Sequence, residues 1–300
     1  MRTNEAVAHV DVQIPVAEGQ QVTGGLWLPE GEVHGAVVVH SATATPQRFY
    51  RSFAAFLAGN GFATVTYDYR GLGRSGDPRE HRSLRMRDWM AQDVPAVAAW
   101  ARARLSEVPH FAVGHSVGGH ALALGHGTDG LTGFAMVSSH AGVTAAIDDR
   151  SERFRVGMFF ALAPTLSKVL GYAPSRLAGF GEDIPAGVVQ DWAPWTRRTD
   201  YFFEDPTMEA AERMRRVKLP VLAIGAADDP WATPAQIDAI TDHLVSAPLE
   251  RRTYAPDDIG ADRVGHHGLL RRGVGEPVWT EIVEWFRTRP APPQGAKAGA

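Results

Sequence analysis

Short continuous apolar runs, each followed by a helical pattern, constrain this 300-residue chain more than any other feature. Residues 36–40, 111–114, 133–137 and 221–225 carry no internal polar alternation of the kind a half-exposed strand shows, and 63–67 departs only by its threonines. Such runs suit strands buried on both faces of a parallel sheet. Residues 8–16, 22–28 and 250–254 read as further strands. Between runs lie amphipathic patterns such as 89–105, where Met90, Val94, Val97, Ala101 and Leu105 recur at spacings of three and four. Pro95 implies a break or a fresh helix start near Asp93. Strand, helix and strand again predict an α/β fold with an open, doubly wound, mostly parallel sheet.

The rhythm fails between residues 146 and 219, where aromatics, arginines and prolines crowd a largely helical stretch. We read 146–219 as an inserted cap or lid on a core made of residues 1–145 and 220–288. Residues 289–300 are low in complexity, and disorder is expected there.

Composition narrows the partners. A formal charge of −4 and a pI near 6.3 leave no electrostatic footprint for nucleic acid or an anionic membrane. With no cysteine there is no disulfide, thiolate metal site or cysteine nucleophile. No secretory signal or membrane-length apolar segment is visible, so a cytoplasmic protein acting on a small molecule is expected. The sequence does not set the oligomeric state.

The chemistry concentrates at Phe111-Ala112-Val113-Gly114-His115-Ser116-Val117-Gly118-Gly119. An apolar strand breaks at Gly114, and a helix of small residues begins after Ser116. A serine on so sharp a turn needs small neighbours, which Gly114 and Gly118 supply, and the turn lifts its hydroxyl clear of the sheet. The Val117 N–H at the helix start can serve a developing oxyanion. Gly71-Leu72-Gly73-Arg74-Ser75-Gly76 satisfies a dinucleotide fingerprint literally, but Asp77-Pro78 follows where that fingerprint needs a helix. His120 and His126, six apart, do not share a helix face as metal ligands would. No metal or organic cofactor is expected.

Five landmarks stand in an order that resembles the α/β-hydrolases. They are the strand ending at His40 with its loop, the strand running into Asp68-Tyr69-Arg70-Gly71, the Ser116 turn, the strand running into Gly225-Ala226-Ala227-Asp228-Asp229-Pro230-Trp231, and Gly265-His266-His267-Gly268 before the last helix. The chain is most similar to an uncharacterised bacterial group of predicted serine α/β-hydrolases with Arg-Phe-Tyr after the third strand, Asp-Asp-Pro-Trp after the acid strand and Gly-His near the C-terminus.

The resemblance implies a Ser-Asp-His triad: Ser116 attacks, His266 shuttles the proton and a carboxylate orients it. The family acid sits three residues beyond the glycine ending its strand, which selects Asp228, with Asp229 as the neighbouring alternative. His267 is the rival base. The loop Ser41-Ala42-Thr43-Ala44-Thr45-Pro46 lacks the glycine common after the third-strand histidine. Ala42 or Thr43 is then expected to share the oxyanion with Val117. Trp192, Trp195 and Tyr50 are the expected substrate contacts. The reading is a serine hydrolase of small hydrophobic esters or thioesters. Its alternatives are an acyltransferase or carbon–carbon bond hydrolase on the same residues, and a non-catalytic ligand-binding protein.

Overall fold

Strand-forming runs and helical patterns alternate in space as their periodicities require. A computed structural model describes residues 7–289. Residues 290–300 of the expected disordered tail lie outside the described residues.

The strands are β1 (Ala8–Pro15), β2 (Gln21–Leu28), β3 (Gly35–His40), β4 (Phe62–Tyr67), β5 (His110–His115) and β6 (Leu131–Val137). A separate two-stranded pair follows, β7 (Tyr172–Ala173) and β8 (Ile184–Pro185), and then β9 (Val221–Ala226) and β10 (Leu249–Tyr254). The main sheet runs β1-β2-β4-β3-β5-β6-β9-β10. β1 and β2 join antiparallel at one edge, and every pairing from β4 through β10 is parallel. The expected sheet is present.

The reason for continuous apolar runs is visible in how alternate residues part. Val38, Ala112, Phe134 and Met136 point into one core, and Val37, Val39, Phe111, Val113, Ala135 and Val137 into the other. The second core is closed by Phe53 and Leu57 of α1 (Arg51–Gly59) and by an apolar stripe on the C-terminal helix: Val278, Ile282, Val283 and Phe286. Burial on both faces removes the selection for polar residues within a strand.

The helical stretch 89–105 divides where proline requires it. After α2 (Met86–Asp88), a wide π-type turn spans Trp89–Asp93, and α3 (Val94–Arg104) starts with Pro95 in its first turn, where a missing N–H costs nothing. Asp93 in that turn pairs with Arg70 at 2.6 Å, both side chains almost wholly enclosed.

α4 (Val117–Ala123) follows the Ser116 turn. Residues 146–219 contribute no strand to the main sheet; they form α5 (Arg150–Leu170), the β7–β8 pair, α6 (Ala186–Thr196) and α7 (Ala210–Arg215). Val156, Phe159, Phe160, Val188 and Trp195 of this segment extend the first core above the sheet's carboxyl edge. The remaining helices are α8 (Pro234–Thr241), α9 (Gly265–Gly268) and α10 (Glu276–Arg287). Among the described residues no helix is long and apolar enough to cross a membrane.

Candidate active site

Ser116 joins β5 to α4 in a backbone conformation that L-residues rarely adopt, φ 52° and ψ −112°. Its amide donates to the Val137 carbonyl at 2.9 Å, and its carbonyl accepts from the Ser139 hydroxyl at 3.0 Å. The neighbouring glycines are steric necessities. A Cβ on Gly114 would strike the backbone of Gly118 and Gly119, one on Gly118 the His40 carbonyl, and one on Gly119 the Ser139 hydroxyl. The sequence identified the first two, and the third needed the fold.

His266 is the second residue of α9, with its Nδ1 2.8 Å from Asp229 Oδ2. Asp229 is 1% exposed, and its other oxygen accepts the Trp231 and Ala232 amides at 2.9 and 3.0 Å. Burial pushes this carboxyl up, but the charge and hydrogen bond of His266, aided by His140 and the Ala232 amide, hold it below the ordinary carboxylate range. It is therefore an anion shaped to receive an imidazolium.

This corrects the expectation for Asp228. The Asp228 carboxylate turns toward the histidine loop's backbone, accepting from Val264 N and Gly265 N at 2.9 Å each. It fixes the loop that carries His266 and does not touch the imidazole. The rival His267 lies 3.1 Å from the Thr45 hydroxyl and is hydrogen-bonded to neither aspartate. Burial, with His266 beside it, pushes His267 down to about 3.

Ser116, Val117, Ala42, Thr43, His266 and His267 all line one cavity of about 710 Å³ including its opening. Among the described residues no hydrogen bond links the Ser116 hydroxyl to His266; such contacts are often long without substrate and tighten when it binds.

The loop after β3 does without glycine by straining an alanine. Ala44 takes φ 57°, and its carbonyl is held by the Glu182 amide at 2.8 Å. The same loop decides between the two expected amide donors. The Ala42 N–H is already given to the Tyr50 hydroxyl at 2.9 Å, which contradicts its expected role. The Thr43 amide has no partner among the described residues. Val117, first in α4, has no intrahelical carbonyl to reach.

Two expected substrate contacts are displaced. Tyr50 is fully buried, its hydroxyl placed between Ala42 N and His115 Nδ1 rather than in the cavity. Trp195 is 1% exposed and donates to Asp205 Oδ2 at 2.9 Å, so it packs α6 down. Trp192 does line the cavity, with Val143, Ile147, Val156, Phe160 and Phe180. Residues missed from sequence include His140 and Trp231, whose rings lie 5.2 and 4.9 Å from that of His266. The Asp-Asp-Pro-Trp run was the available signal for Trp231; nothing local marked His140.

The literal dinucleotide fingerprint folds back on Asp68. Its Ser75 hydroxyl donates to the Asp68 carbonyl at 2.7 Å, and no helix opens at Gly76.

A sequence model of the Hydrolase_4 family, described as serine aminopeptidase S33, matches residues 31–256. A comparison with curated proteins finds no match. Among solved structures, a soluble variant of monoglyceride lipase from Saccharomyces cerevisiae, in complex with a substrate analogue, superposes with a TM-score of 0.68 at 15% identity, over 97% of this chain and 100% of that one. An esterase from Pyrococcus furiosus gives 0.62 at 14% identity over 94% and 93%. A thermostable carboxyl esterase from Bacillus coagulans, in complex with glycerol, gives 0.60 at 16% over 95% and 99%. At these identities the likeness is one of fold.

Proposed function

The chain belongs to the Hydrolase_4 family of α/β-hydrolases, and from that premise we propose that it cleaves a carboxylic ester or thioester of a small hydrophobic substrate through an acyl-enzyme on Ser116. One observation carries the reading: a serine strained onto a strand-to-helix turn shares a cavity with a histidine whose far nitrogen is held by a buried carboxylate.

In this mechanism His266 Nε2 takes the Ser116 proton as the oxygen attacks the substrate carbonyl. Asp229 keeps the other proton on Nδ1 and stabilises the imidazolium that forms. The tetrahedral oxyanion sits against the Val117 and Thr43 amides. Collapse breaks the bond to the alcohol or thiol, which leaves with the proton held by His266. Water then repeats the sequence and releases the acid.

Residues 146–219 act as the cap in this reading, since they supply Ile147, Val156, Phe160, Phe180 and Trp192 to the cavity. Those walls favour an apolar acyl or alcohol part of modest size.

The test is a series of p-nitrophenyl esters and acyl thioesters graded by chain length, run beside aminoacyl p-nitroanilides in buffer alone. Medium-chain esters should be hydrolysed with water as the only acceptor. Ser116→Ala should lower kcat by about 10⁴ or more and abolish fluorophosphonate labelling. Undiminished hydrolysis by Ser116→Ala, or a preference for the anilides, would overturn the proposal.

A further inference from the structure

Beneath the cavity, four groups that take no part in the proposed bond-making stand in one hydrogen-bonded line. The Ala42 amide lies 2.9 Å from the Tyr50 hydroxyl oxygen, which lies 2.8 Å from His115 Nδ1. His115 Nε2 in turn lies 3.0 Å from the backbone carbonyl of His266. Tyr50 and His115 are both fully buried.

The protons in this line have one arrangement. A carbonyl can only accept, so His115 Nε2 carries the proton directed at His266. The neutral ring then offers Nδ1 as an acceptor, which takes the Tyr50 O–H. The tyrosine oxygen is left to receive the Ala42 N–H, since an amide can only donate. Each donor has an acceptor, and each acceptor is used once.

The line connects three separate parts of the chain. Ala42 belongs to the loop after β3, His115 precedes Ser116 in the turn, and His266 is the proposed base. A second tie runs parallel to it, from the Thr45 hydroxyl to His267 Nε2 at 3.1 Å. A buried polar pair is costly unless fully satisfied, and apolar residues of the same shape would pack here without that penalty. What a satisfied polar line adds is a fixed geometry. It also holds the Ala42 amide away from the reaction, leaving Thr43 N as the loop's free donor.

We propose that Tyr50 and His115 form a positioning bridge that sets the oxyanion loop and the base in register with Ser116. The inference rests on the ester-hydrolase reading above. Burial pushes the Tyr50 hydroxyl up, and burial, with His267 and His266 nearby, pushes His115 well down, so neither member changes charge across the neutral range.

The test compares the full-length protein with Tyr50→Phe, His115→Gln and the double variant. Fluorophosphonate labelling run to completion counts competent sites, and kcat for a p-nitrophenyl ester is expressed per counted site. If the bridge positions, Tyr50→Phe should lose roughly 10- to 100-fold in kcat per site, with KM within about twofold. His115→Gln, which keeps one acceptor and one donor, should lose less. The double variant should lose no more than the worse single change, because both break one unit.

A merely structural role would reduce the number of sites and leave kcat per site intact. That outcome overturns the inference, as do losses that multiply in the double variant. If no variant yields countable sites, the line is a folding element and the inference is also wrong. Failure of the wild-type protein to label at Ser116 would instead sink the underlying hydrolase reading.

Discussion

Two adjacent aspartates offer the sharpest trial of the site, because the structure gives them unlike tasks. Asp229 uses one oxygen for the Trp231 and Ala232 amides and the other for His266 Nδ1. In Asp229→Asn the remaining carbonyl oxygen stays with the two amides, since turning the side chain over would set its NH2 group against two N–H donors. The NH2 then faces His266 Nδ1. An NH2 group only donates, so Nδ1 must accept and the ring proton moves to Nε2. In that tautomer Nε2 cannot take the Ser116 proton. Amidating a triad carboxylate costs about 10⁴ in kcat, or roughly 5.5 kcal/mol of barrier. Asp228→Asn keeps one acceptor but sets its NH2 against the other loop amide, losing a hydrogen bond to a charged group worth about 1.5–3 kcal/mol. Even if all of it reached the His266 loop, the loss would be roughly 10- to 150-fold, still well short of 10⁴. The assay is ester hydrolysis per fluorophosphonate-titrated site, with folding checked by circular dichroism. An Asp229→Asn enzyme within tenfold of wild type, or an Asp228→Asn enzyme more damaged than it, would refute the assignment.

Trp192→Ala should reorder the preference among ester chain lengths while Ser116 still labels, whereas Trp195→Ala should leave the order alone and destabilise the fold by about 3–5 kcal/mol. Substrate profiles and denaturation midpoints of the two variants check both halves. Acid should unfold the protein early, because burial pushes His40 and His120 down to about 3 and His140 to about 4. The unfolded chain binds those protons near pH 6.5 and the fold does not, so stability present above that pH is lost as it falls, by roughly 4 kcal/mol per unit for the three rings together. A urea midpoint that stays flat between pH 7 and 5 would contradict this.

The fold was largely legible because its signal is periodic. A strand buried on both faces is apolar along most of its length, as 36–40 and 221–225 are, and β4 departs only by the buried Thr64 and Thr66. Ser116 was legible too, since glycines on both sides of it leave few alternatives to a sharp turn. What local patterns could not resolve was direction. Asp228 and Asp229 differ only in which way a turn aims them, and amides of residues 264 and 265, far along the chain, settle it. Trp192 and Trp195 sit one helical turn apart, close enough that periodicity assigns them to nearly the same face. Only the packing of Asp205 separates them. Tyr50 looked like a cavity residue because its loop borders the site; its hydroxyl turns inward, where a buried histidine 65 positions later can meet it.

The strained backbone at Ser116 sets function and foldedness at odds. Holding a serine at φ 52° consumes about 1–3 kcal/mol of a total that is commonly 5–15. Glycine would occupy the same place without strain and without a hydroxyl. Among random variants at this position, the proposed mechanism makes the most durable molecule an inert one. A laboratory selection that rewards solubility or heat resistance alone would drift toward a catalytically silent lineage. Any campaign to harden this protein therefore has to screen for turnover in every round.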